Sequence, residues 1–161
     1  MKRNKAILAS ASILFTSLAG CSPASLPSAE LTVRDYEKIN RSPVLDEQAI
    51  KRFQYDLYEC GTDNEFCQGK VMYSFYDKAF SSEGFSQVQT AITYTSWAAS
   101  MKNAEVNDGA MLVLAQKWAQ ALMGVYTCVG SVECTNWLVS EQGVSKAQIT
   151  ELKDIINKAN S

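Results

Sequence analysis

The sequence contains no histidine. That absence excludes Ser-His-Asp and Cys-His catalysis, and it removes the commonest side-chain ligand for first-row metals. An enzyme built on this chain would have to work with carboxylates, lysine or tyrosine. A redox-active C-x-x-C is missing as well, and the cysteine spacings lack the short knuckle that holds structural zinc. No glycine-rich phosphate loop follows a strand pattern, and no calcium-loop spacing occurs. Nothing recurs at a period of roughly 20–50 residues, which argues against a repeat array. A basic stripe able to count phosphates is also lacking, so nucleic acid is not an expected partner.

What is present begins with a cationic start, Lys2, Arg3 and Lys5, followed by the uncharged run from Ala6 to Ala19. Ile7, Leu8, Ile13, Leu14, Phe15 and Leu18 make that run apolar. A transmembrane helix needs roughly 20 apolar residues, so the run is too short to span and has instead the layout of an export signal. It ends in Leu18-Ala19-Gly20-Cys21. These four residues resemble the lipobox of bacterial lipoproteins. The resemblance implies a diacylglyceryl group on the Cys21 thiol, cleavage before Cys21, and acylation of the new amine, typically with palmitate. Two or more chains anchor stably where one binds only reversibly. In that family an Asp after the cysteine favours inner-membrane retention. Ser22 stands here, so the expected address is the outer membrane, with the domain facing the periplasm.

Charge and cysteine usage agree with this reading. The chain carries 15 Lys plus Arg against 17 Asp plus Glu. Three of the bases lie in residues 1–20, so the expected mature chain has 12 against 17, a balance of −5. Anionic membrane surfaces would not attract such a domain, and the lipid must anchor it. Of the five cysteines, assigning Cys21 to lipid leaves Cys60, Cys67, Cys128 and Cys134. An even set in an oxidising compartment reads as two disulfides. Three connectivities are open; local pairing, Cys60 with Cys67 and Cys128 with Cys134, is favoured because each pair flanks one expected turn.

The expected organisation is a cleaved signal over 1–20, a lipidated cysteine and flexible spacer over 21–45, and a helical domain over 46–161. Pro23 and Pro27 keep the spacer extended. A short helix over Thr32–Asn40 is possible within it, broken at Ser42-Pro43. Ile50, Phe53 and Leu57 recur at helical spacing between Asp46 and Cys60, and Gly61 ends that helix. Asp63 or Asn64 caps a second helix to about Phe80, on a stripe of Met72, Tyr76 and Ala79 widened by Phe75 and Phe80. Gly69 in its first turns suits a close helix approach. Phe85–Ala104 reads as a third helix, with Thr93-Tyr94-Thr95 its one strand-like stretch. Ala110–Val129 is the most regular helix and is expected to be central. Ser131–Glu141 and a final helix opened by the capping box Ser145…Gln148 complete the set. The fold class is all-α: a compact bundle of five to six helices stapled by two disulfides.

The chemistry-bearing groups have bland readings. Asp56 and Glu59 share a face, as do Ser74 and Lys78, and a solvated helix surface explains both pairs. No metal or cofactor is expected beyond the lipid on Cys21. Tyr73 and Phe75 cannot both join the expected stripe, so Tyr73, Phe75 and Phe80 are the candidate partner-binding surface. The expected function is a non-enzymatic interaction or accessory protein of the cell envelope that binds another envelope protein. In architecture it is similar to pilotins, the small helical lipoproteins that escort an outer-membrane secretion subunit; that similarity carries no residues across. The alternative is a periplasmic inhibitor, immunity or exclusion protein. An enzyme using carboxylates ranks below both.

Overall fold

The computed structural model describes residues 33–103 and 109–161. These residues form an all-α fold of eight helices: α1 Val33–Asn40, α2 Glu47–Cys60, α3 Glu65–Ser82, α4 Gln87–Asn103, α5 Gly109–Ala121, α6 Met123–Val129, α7 Val132–Glu141 and α8 Lys146–Asn160. No described helix is long and apolar enough to cross a membrane. The count exceeds the expected five or six because α1 is a full element and the helix expected over 110–129 is divided at Leu122.

The helix starts are encoded locally. Asp46, Asn64, Ser131 and Ser145 each accept a hydrogen bond from the backbone N–H three residues on, satisfying a donor that the first turn leaves open. Asn64, not Asp63, is the cap of α3. At Ser145 the full capping box forms with Gln148. Gly61, at φ 75°, lets the chain leave α2 in a conformation other residues resist. The threonines of α4, which lower its intrinsic preference, turn their hydroxyls back onto the preceding turn. Thr90 donates to the Ser86 carbonyl at 2.7 Å and Thr95 to the Ala91 carbonyl at 2.6 Å. The strand-like stretch is therefore helical.

The core is built around the crossing of α3 and α6, the most extensive helix pair in the fold. Gly124 makes it possible. A Cβ placed there would meet the backbone of α3, at 2.7 Å from the Met72 carbonyl carbon and 2.8 Å from Tyr73 Cα. Only a residue without a side chain admits that approach. Gly69 marks a second, looser contact: a Cβ there would lie 3.0 Å from Cys134 Sγ and 3.2 Å from Cys128 N, as its early place in α3 had suggested. Trp118, fully buried, makes T-shaped contacts with Tyr36 and Phe80, ring centroids 5.8 and 6.4 Å away. α8 closes the bundle by burying Ile149 and Leu152, chiefly along α4.

One expected boundary and one expected buried face change. Residues 33–45 are not spacer, because α1 buries Tyr36 and Ile39 in the core. α2, expected to bury Ile50, Phe53 and Leu57, buries only Cys60; Ile50 is 41 % exposed and the other two are half-buried. Its main neighbour is α3, which leaves α2 a peripheral helix.

The disulfides are Cys60–Cys67 and Cys128–Cys134, with Cα atoms 5.4 and 4.8 Å apart. The local pairing is thus the observed one. The first ties the C-terminus of α2 to the start of α3. The second closes the corner between α6 and α7, with both sulfurs in the core.

Candidate functional site

Because α2 lies on α3 and little else, the two helices leave a groove between them of about 340 Å³. Its α2 wall is Ala49, Arg52, Phe53 and Asp56; its α3 wall is Lys70, Val71, Ser74, Phe75 and Lys78; Val44 closes one end. Both sets follow helical spacing, so each wall is one continuous face of its helix. Phe53 and Phe75 stack across the groove with centroids 4.3 Å apart and planes 20° from parallel. Phe75 also meets Tyr76 edge-on at 4.9 Å. The groove therefore has an aromatic floor and charged upper walls.

Its charge is unlike that of the chain as a whole. Arg52, Lys70 and Lys78 face a single acid, Asp56. Lys70 leans away from the groove, its ammonium 5.5 Å above the Trp137 ring and 5.9 Å above Phe66. Arg52 and Lys78 are exposed, and among the described residues neither enters an ion pair. The opposite end of the α2–α3 pair has the opposite sign. Around the Cys60–Cys67 corner, Asp63, Glu65 and Glu133 line a shallow depression that holds no base.

The outer face of α2 exposes two aromatic side chains. Tyr58 is 81 % exposed and Tyr55 63 %, with Ile50 and Val44 on the same element or its approach. Other tyrosines are buried in the core or beside it. Burial, with the Asp77 carboxylate nearby, pushes the Tyr73 phenol up to about 12. Burial likewise raises Tyr126 well above its ordinary value, opposed by its hydrogen bond with Thr95 at 2.8 Å.

The candidate residues named from sequence separate into groups. Cys21 lies outside the described residues. Cys60, Cys67, Cys128 and Cys134 form the two staples. Tyr73 and Phe80 are not surface: they are 4 % and 0 % exposed, and this corrects their place in the expected partner-binding patch. The reason is the α3–α6 crossing. Gly124 brings the α6 backbone onto Tyr73, the Gln87 amide donates to the Tyr73 carbonyl at 2.9 Å, and the Tyr73 ring meets Trp137 edge-on at 5.7 Å. The buried face of α3 runs through Gly69, Tyr73, Ala79 and Phe80; it keeps Ala79 and Phe80 of the expected stripe but centres on Tyr73, leaving Met72 and Tyr76 half-buried. Phe75 alone of the three reaches a groove.

Asp56, Ser74 and Lys78, weighed in separate pairs, come together on the two walls, whereas Glu59 is exposed and outside the groove. Arg52, Lys70 and Val71 were not singled out. The signal was there in Lys70-Ser74-Lys78 and Ala49-Arg52-Phe53-Asp56, each spaced for one face, but pairing two faces from different helices needs the structure. No cluster of three or more potential metal ligands occurs among the described residues. No protein-family model, curated protein or solved structure matches this chain.

Proposed function

We propose that this protein is an outer-membrane-anchored lipoprotein whose helical domain, facing the periplasm, acts as a non-enzymatic adaptor for another protein of the envelope. The observation that carries the reading is α2. It is tied to the body by one helix and one disulfide, yet it displays Tyr55, Tyr58 and Ile50 outward above an aromatic-floored groove. Exposed aromatics on a helix are unfavourable in water and suit a surface that another protein covers. The lipobox residues support the anchoring, and four cysteines paired in two disulfides suit an oxidising compartment.

The acidic corner of Asp63, Glu65 and Glu133 favours a second reading, an inhibitor or exclusion protein that blocks a basic incoming enzyme. Chemical crosslinking of the native lipoprotein in cells, followed by identification of the captured protein, separates the two. A resident envelope protein supports the adaptor; an imported enzyme or mating component supports the inhibitor. In parallel, the Cys21→Ala form is expected to lose incorporated palmitate and to leave the membrane fraction. Retention of both would refute the anchoring.

A further inference from the structure

We propose that the α2–α3 groove is a docking site for an acidic, amphipathic segment of a partner protein. One apolar side chain of that segment seats on the Phe53–Phe75 stack, and its carboxylates pair with Arg52 and Lys78. The inference rests on the adaptor reading and specifies the chemistry of what the adaptor holds.

Charge complementarity identifies the occupant. The chain is acidic, with a balance of −2, yet this groove holds three cations to one acid. Lys70 is engaged with Trp137 and Phe66, so its stem lines the wall while its charge is turned aside. Arg52 and Lys78 remain as exposed cations on opposite walls, one from each helix, flanking the aromatic floor. That arrangement asks for a carboxylate on either side of an apolar group. A volume of about 340 Å³ accommodates a side chain of leucine or phenylalanine size with its neighbours.

The aromatic floor decides between a peptide and a lipid: it is short, one stacked pair, and suits a single anchoring side chain better than an acyl chain.

The test uses the full-length lipoprotein in detergent and two fluorescein-labelled helical peptides. One carries Leu at i, i+4 and i+7 with Glu at the flanking positions; the other has every Glu replaced by Lys. Anisotropy is expected to show the Glu peptide binding at least tenfold more tightly, with an advantage that shrinks as salt rises. The double variant R52E/K78E, altered only at exposed side chains, is expected to invert that preference without moving the thermal midpoint. Equal binding of the two peptides, or an unchanged preference in the variant, overturns the inference. Binding of phosphatidylglycerol vesicles through Arg52 and Lys78 in place of the Glu peptide also overturns it, and assigns the groove to lipid. Self-association abolished by R52E/K78E overturns it in favour of a second copy. If the peptides show no charge preference while Tyr58 still crosslinks to an envelope protein in cells, the groove inference falls and the adaptor reading stands.

Discussion

Gly124→Ala tests the packing that positions every other feature. By helix propensity alone the substitution should stabilise, since alanine is favoured over glycine in a helix by about 1 kcal/mol. The structure demands the opposite. The new methyl would lie 2.7 and 2.8 Å from backbone atoms of Met72 and Tyr73, where ordinary contact begins near 3.4 Å. The Tyr73 backbone nitrogen is nearer still, and backbone cannot rotate out of the way, so α3 and α6 must separate locally by about 1 Å. A gap of that size forfeits about half of the dispersion attraction of each atom pair it opens. Overpacking costs about 1–3 kcal/mol, and a clash against backbone belongs at the upper end. Less the propensity gain, the net loss is about 2 kcal/mol, or roughly 6 °C in midpoint for a chain of this length. Urea unfolding followed by tryptophan fluorescence reads it directly. Gly130→Ala is the control, because its added methyl meets only the Thr127 and Tyr126 carbonyls, at 3.4 and 3.8 Å. A Gly124→Ala protein as stable as the parent, or more stable, would refute the α3–α6 crossing.

Other outcomes follow from the same structure. Each disulfide closes a short loop worth about 2.4 kcal/mol by chain entropy. Replacing both Cys128 and Cys134 by Ser should cost more than replacing Cys60 and Cys67, because the former pair lies wholly in the core, and differential scanning calorimetry checks the order. Ionisation of Tyr73 is disfavoured in the fold, so its contribution is constant below pH 10, the unfolded value, and falls as pH rises toward 12. About 2 kcal/mol is expected to be lost by pH 12, and Tyr73→Phe should remove that part of the alkaline decline in unfolding experiments. Tyr58→Ser, at a site 81 % exposed, should change stability by less than about 0.5 kcal/mol while reducing partner capture in cells.

The helices were legible because their signals are local. Asp46, Ser131 and Ser145 are caps that act within three residues, and Gly61 is read from its place after a periodic run. Local disulfide pairing was legible for the same reason. What was hidden depends on which helix lies against which. The expected stripe through Met72, Tyr76 and Ala79 and the observed face through Gly69, Tyr73, Ala79 and Phe80 share Ala79 but are centred one residue apart, and both are apolar enough to face a core. Gly124 selects the second by admitting α6, but within an otherwise regular helix a glycine does not announce which neighbour it serves. The division at Leu122 has the same origin: the regular apolar rhythm of 110–129 continues across it, and the backbone turns two residues before Gly124. α2 misled in the other direction. Its Ile50-Phe53-Leu57 spacing is that of a buried face, yet it is covered by α3 only in part, and what remains is the proposed docking surface.

Site-specific photocrosslinking in living cells tests the adaptor most directly. A photoreactive residue is placed in the native lipoprotein at Tyr58 on the outer face of α2, at Ser74 in the groove, and at Lys158 on α8, which packs along α4. Adducts to one envelope protein are expected from Tyr58 and Ser74, none from Lys158, and none from any position once Cys21 is alanine. Absence of adducts at Tyr58 and Ser74, equal labelling from Lys158, or capture that persists in the Cys21→Ala protein would contradict the account.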